Sequence, residues 1–397
     1  MRLLVKTMWV AVCAAMIVAM AAVGGANAAA KPKAPKTLKV SSFTSNFSVM
    51  TKLKPLAKSG KGMIGVLLPE TTTSARYTAF DAPYLAKAFQ KAGLKSNQYK
   101  IENAQGSDAT QKTQAEALMT EGASVLLVDP IDSGVGAAIE SAAKSRGVKV
   151  IDYDRITLGG SRDYYVSFDN VKVGQIIGKG MVSCVSAWHV SKPNILVMDG
   201  APTDNNATLF SQGYNQVLKP HFDSGEYVKV GEPAGTWDPP TALTTFQQQY
   251  TAHPNINAVV TPNDANGNAV ISALKTLNIP AKTFPTTGQD AQLTGLQNIL
   301  SGYQCMTVYK PIYLEAQASV ALALYLRAGL KPPAGLVNGK TADSQAKSQV
   351  KSVLLTPLSV DSSNMAATVI KDGFVKASEL CQGAIASLCQ QAGIKTS

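Results

Sequence analysis

Val148-Lys-Val-Ile-Asp-Tyr-Asp-Arg155 is a short apolar run that ends in a carboxylate and a guanidinium, and it follows an amphipathic stretch, 135–146, closed by Gly147. An apolar run of this length bounded by turn residues reads as a buried parallel strand, and the stretch before it as the helix that delivers the chain to it. The unit repeats. Apolar runs recur at 63–68, 124–128, 164–167, 194–198, 258–261, 283–287 and 303–308. Helical patterns lie between them, such as 84–92, 109–121, 171–185, 242–250, 265–277 and 312–328. Strict alternation of strand and helix predicts a doubly wound α/β architecture.

Such sheets bind ligands beyond the carboxyl ends of their strands, so the polar residues just after each run are the candidates for function. Run 63–68 leads to Arg76 and Tyr77, 148–153 to Asp154 and Arg155, and 194–198 to Asp204 and Asn206. Run 258–261 leads to Asn263 and Asp264, 283–287 to Gln289 and Asp290, and 303–308 to Lys310, while Trp237 sits in a Gly-Thr-Trp-Asp-Pro-Pro loop. Acceptor-only carboxylates with donor-only Arg and Lys complement hydroxyls that both donate and accept, and aromatic rings suit C–H faces. A pyranose presents both kinds of surface. Asp and Asn at these places also cap helices and shape turns, a competing use at any single position.

The formal charge of +11 suggests nucleic acid until it is located. Residues 1–61 hold Arg2, Lys6 and eight lysines with no acidic residue, which leaves 27 basic against 26 acidic residues from Gly62 onward. The body is neutral, so a basic stripe for DNA or RNA is not indicated. Residues 1–28 carry Arg2 and Lys6, an apolar run over 8–23 and a small-residue site, Ala26-Asn27-Ala28, the pattern of a signal peptide. Cys13 falls within that segment. The mature chain is then an exported protein of two lobes with a basic lead-in over 29–61. Cys184, Cys305, Cys381 and Cys389 remain, an even number in an oxidising compartment that allows three pairings. None has zinc-ligand spacing, and His189, His221 and His253 are scattered, so neither a metal nor another cofactor is expected.

Seven ordered segments carry a resemblance: Asp152-Tyr-Asp-Arg155, Tyr165-Val-Ser-Phe-Asp-Asn170, Asp204-Asn-Asn-Ala207, Asn263-Asp264, Gly288-Gln-Asp290, Met306-Thr-Val-Tyr-Lys-Pro311 and Val369-Ile-Lys-Asp-Gly-Phe374. Over about residues 62–374 the chain resembles the periplasmic D-xylose-binding proteins of the ribose-binding-like type I solute receptors. The resemblance implies two Rossmann-like lobes joined by three crossings, near Phe168, at 308–310 and at 335–351. The first lobe would comprise 62–167 plus 310–335, the second 168–309 plus 345–376, and 377–397 a cysteine-bearing tail. It implies that Arg76, Asp154, Arg155, Asp204, Asn206, Asn263, Asp290 and Lys310 hydrogen-bond a monosaccharide, with Trp237 stacked on one face. The implied partners are that sugar and the permease of an ABC importer with its cytoplasmic ATPase, with a chemoreceptor as a further candidate, and a monomer is expected. Two features depart from the family pattern: Tyr77 stands where a tryptophan is usual, which bears on whether the sugar is xylose, glucose, arabinose or several, and the tail lies beyond it. With the lobes so assigned, Cys184 and Cys305 both fall in the second, and the expected bridges are Cys184–Cys305 and Cys381–Cys389. The latter pair would lie about 12 Å apart along an unbroken helix, beyond the roughly 7 Å a bridge permits, so a turn is required and Gly383 offers it.

An enzyme is the rival class. No G-x-G-x-x-G follows the first run, Gly174-Gln-Ile-Ile-Gly-Lys-Gly180 is one residue short of a P-loop, and a G-x-S-x-G elbow is absent. A glycosidase needs only two carboxylates at suitable separation, which strand-end aspartates could supply. Regulators of the lac repressor family share the fold but open on a helix-turn-helix, where this chain has an export signal.

Overall fold

The computed structural model describes residues 33–71 and 74–396. Five parallel strands come first: β1 (Met63–Leu68), β2 (Tyr99–Asn103), β3 (Ala123–Val128), β4 (Lys149–Tyr153) and β5 (Tyr164–Phe168). They lie side by side in the order β2-β1-β3-β4-β5. The chain then enters a second sheet made of β6 (Asn194–Val197), β7 (Val228–Gly231) and β8 (Ala258–Val260), ordered β7-β6-β8, before reaching β9 (Thr307–Tyr309). In both sheets the strand order reverses beside the first strand, between β1 and β3 and between β6 and β8, which opens a crevice at the carboxyl ends there.

Run 283–287, expected as a strand, is reduced to a single bridge from Thr286 to Val259. Run 303–308 forms a ladder only at β9, and that ladder is antiparallel rather than parallel. The edge strands β2 and β7 went unread, because their half-exposed residues carry no continuous apolar run.

The last crossing differs from the expected one. Strands β10 (Gly339–Asp343) and β11 (Ser348–Leu355) form an antiparallel hairpin that joins the first sheet, with β11 parallel to β5. Strand β12 (Leu358–Val360) pairs with β9. Residues 345–355 thus belong with the first lobe, not the second, and the crossing falls at Thr356-Pro357. The other two changes of sheet follow Phe168, which pairs with Leu355, and Tyr309, which pairs with Leu358. Three strand ends meet there as one bundle.

Glycines in the near-P-loop segment serve packing. A Cβ on Gly174 would lie 2.1 Å from the Phe210 carbonyl oxygen, and one on Gly213 would lie 2.3 Å from that of Val171. These positions let helix Asn170–Ala187 press backbone to backbone on helix Asn205–Asp223. Both bridges are present. Cys184 joins Cys305 with Cα atoms 6.0 Å apart, and Cys381 joins Cys389 at 5.8 Å across a turn where Gly383 takes φ +56°.

The basic lead-in is not a free tether. Phe43, Phe47, Val49 and Met50 are buried in the main core, and the segment lies against helices Ala82–Lys91 and Ile312–Arg327. Each such side chain removed from water contributes about 1.5–3 kcal/mol toward the cost of ordering the arm. The tail packs in the same manner on helix Leu293–Leu300 through Leu380, Cys381, Cys389 and Ile394. Among the described residues no helix is long and apolar enough to cross a membrane. The signal segment, 1–28, lies outside the described residues.

Candidate functional site

The crevices of the two sheets face each other across one narrow cavity. The ten residues the resemblance points to all line it, Arg76, Tyr77, Asp154 and Arg155 from the first lobe, Asp204, Asn206, Trp237, Asn263 and Asp290 from the second, and Lys310 from the second crossing, whereas Asp264, also a strand-end candidate, does not. Ser74, Phe210 and Gln289 complete the wall.

The first-lobe wall is built on charge. Arg76, 2% exposed, donates from Nη1 to Asp154 Oδ1 at 2.8 Å, from Nε and Nη2 to Asp81 at 2.9 and 2.8 Å, and from Nη2 to Glu315 Oε2 at 2.9 Å. Asp154 sits at φ +60°, a left-handed conformation that turns the chain as it leaves β4. Its other oxygen accepts from the Tyr77 hydroxyl at 3.2 Å, and that hydroxyl accepts from Arg155 Nη2 at 3.1 Å. Burial alone would push the Asp154 carboxyl up, but Arg76, Lys310 and Arg155 outweigh it and hold the group below the usual carboxylate range. Burial wins at Glu315 and Asp129 behind the wall, both pushed well above that range. The Tyr77 phenol is likewise pushed well up by burial.

The second-lobe wall is built on helix starts and backbone. Asp204 caps helix Asn205–Asp223 by accepting from Asn206 N through Oδ1 at 2.9 Å. Its Oδ2 accepts from Trp237 Nε1 at 3.1 Å and lies 3.2 Å from Arg155 Nε. Burial raises this carboxyl and Arg155 offsets only part of the rise. Asn263 caps helix Asp264–Thr276 in the same way. Capping and cavity lining therefore coexist: one side-chain oxygen secures the helix while the residue borders the cleft. Asp290 and Ala291 take φ of +91° and +49°, a strain of order 1–3 kcal/mol each for non-glycine residues. The Asp290 amide donates to Val308 O at 2.8 Å, and its Oδ1 faces Lys310 Nζ at 3.1 Å.

Contacts cross between the lobes. Asn206 Nδ2 donates to the Asp154 carbonyl at 3.0 Å, Arg155 meets Asp204, and Ser74 Oγ lies 3.5 Å from Asp290 Oδ2. Around the cavity three cations, Arg76, Arg155 and Lys310, face three carboxylates, Asp154, Asp204 and Asp290. Such a wall suits an uncharged ligand rich in hydroxyls. Among the described residues no group of His, Cys, Asp or Glu is arranged to hold a metal ion.

Sequence reasoning passed over Asp129, although it ends β3 and meets the strand-end rule. It also passed over Glu315, a lone carboxylate in the apolar helix Ile312–Arg327, and Asp81, five residues beyond Arg76. None of these three lines the cavity, and Arg76 and Arg155 stand between them and it.

Residues 64–331 match the family model of the periplasmic binding protein domain. The chain belongs to that family. Its members are non-enzymatic solute-binding proteins, so the glycosidase alternative falls. This binding protein is 40% identical over 282 residues to the D-xylose-binding periplasmic protein of Escherichia coli K12, covering 70% of this chain and 82% of that one. It is 33% identical over 343 residues to the multiple sugar-binding periplasmic receptor ChvE of Rhizobium radiobacter, covering 82% and 94%. Among solved structures it is similar to a carbohydrate transporter solute-binding protein of Chloroflexus aurantiacus in complex with D-glucose, with TM-score 0.70, 28% identity and coverage of 80% and 97%. The fold is the type I periplasmic binding protein fold, two α/β lobes with parallel sheets.

Proposed function

We propose that this binding protein is the extracytoplasmic receptor of an ABC sugar importer, that it takes a monosaccharide between its lobes, with D-xylose the first choice, and that it delivers the sugar to the permease. The observation that carries the reading is the charge-balanced cavity at the facing crevices, where ten polar and aromatic groups converge from both lobes. Asp154, Asp204, Asp290, Asn206, Asn263, Arg76, Arg155 and Lys310 are the hydrogen-bonding set, and Trp237 offers the face for stacking. Ligand favours the closed arrangement because only there do both walls reach it. The 40% identity to a D-xylose-binding protein supports the pentose. Two bridges fit an exported protein.

A receptor for several monosaccharides is the second reading. It is supported by relatives named for multiple sugars at 33% and 31% identity, and by Tyr77, whose hydroxyl is committed to Asp154 and Arg155. Calorimetric titration of ligand-free protein with xylose, glucose, arabinose, galactose and ribose separates the two. Tight binding of xylose alone supports the first, and comparable affinities for several sugars support the second. Heat from none of these sugars, with no compaction by scattering, rejects both.

A further inference from the structure

The docked arm carries seven positive charges, of the +11 net of the whole chain, onto one side of the first lobe. Between residues 33 and 61 it buries its apolar side chains and leaves seven lysines exposed, with no acidic residue before Glu70. The arm is contiguous with a second lysine group. The Lys87 ammonium lies 4.4 Å from the ring centroid of Phe47, and Lys54 Cγ lies within 3.2 Å of a Cβ built on Gly93, between Lys91 and Lys95. Helix Ala82–Lys91 and the turn after it add Lys87, Lys91 and Lys95, all exposed, and no acidic residue occurs from 82 to 101. Among the described residues none of these lysines has an ion pair, whereas Glu102 and Glu121 of the same lobe are both engaged by Lys100.

The face points away from the cleft. Helix Ile312–Arg327 starts at the second crossing and ends at Arg327, which donates to the Ala57 and Gly62 carbonyls of the arm. Sixteen residues at 1.5 Å each place that end about 24 Å from the crossing. Helix Ala82–Lys91 likewise begins just after Arg76 and Tyr77 and ends among the lysines. A broad partner could cover this face and leave the cavity open.

We propose that the basic face binds the anionic headgroups of a phospholipid membrane surface, which would hold the receptor close to the bilayer that contains its permease. One observation favours a membrane over other polyanions. The exposed lysines are spread along a strap and a helix end, and the aromatic rings between them, Phe43 and Phe47, are buried rather than open to bases, which suits a headgroup surface. Apart from Lys87, Lys91 and Lys95, the chain from Gly62 onward carries 24 basic and 26 acidic residues, so the net positive charge of the described residues lies on this face.

The test is co-sedimentation of mature protein, starting at residue 29, with vesicles of phosphatidylcholine alone or with 40% phosphatidylglycerol, at low and at 0.5 M salt. Binding is expected only to the anionic vesicles and only at low salt. Each lysine near the surface strengthens partition by about fivefold, so the triple variant K52E/K54E/K58E should lose it by more than a hundredfold. Its sugar titration and melting temperature should match the parent, which separates failure of this surface from failure of the ligand reading and from misfolding. A second variant, K87E/K91E, should weaken partition by a smaller factor. No partition at low salt, equal partition of parent and variants, or binding to a soluble polyanion in preference to the vesicles would overturn the proposal.

Discussion

The two lobes hold their halves of the same cavity by different means. In the first, Arg76 sits among Asp81, Asp154 and Glu315, and Arg162 ties Asp343 of the β10–β11 hairpin, at 2.8 Å, to Glu140 and Asp152 at 3.5 and 3.7 Å. In the second, helix caps at Asp204 and Asn263 and the left-handed Asp290 and Ala291 shape the wall beside single ion pairs, and both disulfides lie on that side of the molecule. A buried ion cluster contributes little to net stability yet cannot lose one member cheaply, because the remaining charges stay desolvated. A bridge or a strained turn can be removed without stranding charge. The first wall is therefore preorganised at the expense of tolerance to substitution, while the lobe that carries the second has both covalent closures.

The largest effect is expected from the bridges. Replacing Cys184 and Cys305 by Ser opens a closure spanning 121 residues, worth about 5 kcal/mol in the chain-entropy model, against about 2.5 kcal/mol for the 8-residue span of Cys381 and Cys389. Urea unfolding of the two double variants measures the ratio, and equal losses would remove the covalent half of the comparison. Arg76→Met should cost about 3–5 kcal/mol of folding free energy in the same assay, through three stranded carboxylates, and abolish sugar binding as well. Asp290→Asn should instead weaken binding by about 2 kcal/mol in calorimetry while costing the unliganded protein less stability than Arg76→Met does. If it destabilises as strongly, the second wall is also a charge clamp.

The pH dependence sharpens the contrast further. Burial pushes the Asp264 carboxyl up to about 7, beneath the second wall. With its folded value above its unfolded value, its contribution is complete below about pH 4 and declines as pH rises through 7, by at most about 1.4 kcal/mol per unit. Asp154, held low by its cations, behaves oppositely: its contribution is present above the unfolded carboxylate value and disappears as pH falls through the folded one. Asp264→Asn should flatten the decline between pH 5 and pH 8 in denaturant titrations, and an unchanged slope would assign that decline to other groups.

Much of this is legible in the sequence. Alternating runs and helical patterns predicted a doubly wound fold, and the strand-end rule gathered ten residues that line one cavity, because periodicity records which faces are buried and parallel strands all present their carboxyl ends to the same side. The rule worked even where the strand itself shrank to one bridge, at Thr286, since Asp290 needs only the chain's direction there. It could not reveal Glu315 or Asp81, whose role is to face Arg76 from other elements.

By itself, then, the sequence determined the layered α/β architecture, the side of each sheet that carries chemistry and the concentration of charge in residues 1–61, because all three are written in local order and composition. Only the tertiary structure decided that residues 348–355 join the first sheet, that the lysine-rich arm is docked through Phe43, Phe47 and Met50, and that a carboxylate 239 residues away in sequence, Glu315, holds Arg76. Strand pairing, arm docking and ion-pair partners are choices among distant segments, and they are settled by which contacts best exclude water and compensate buried charge, a comparison that no local window contains.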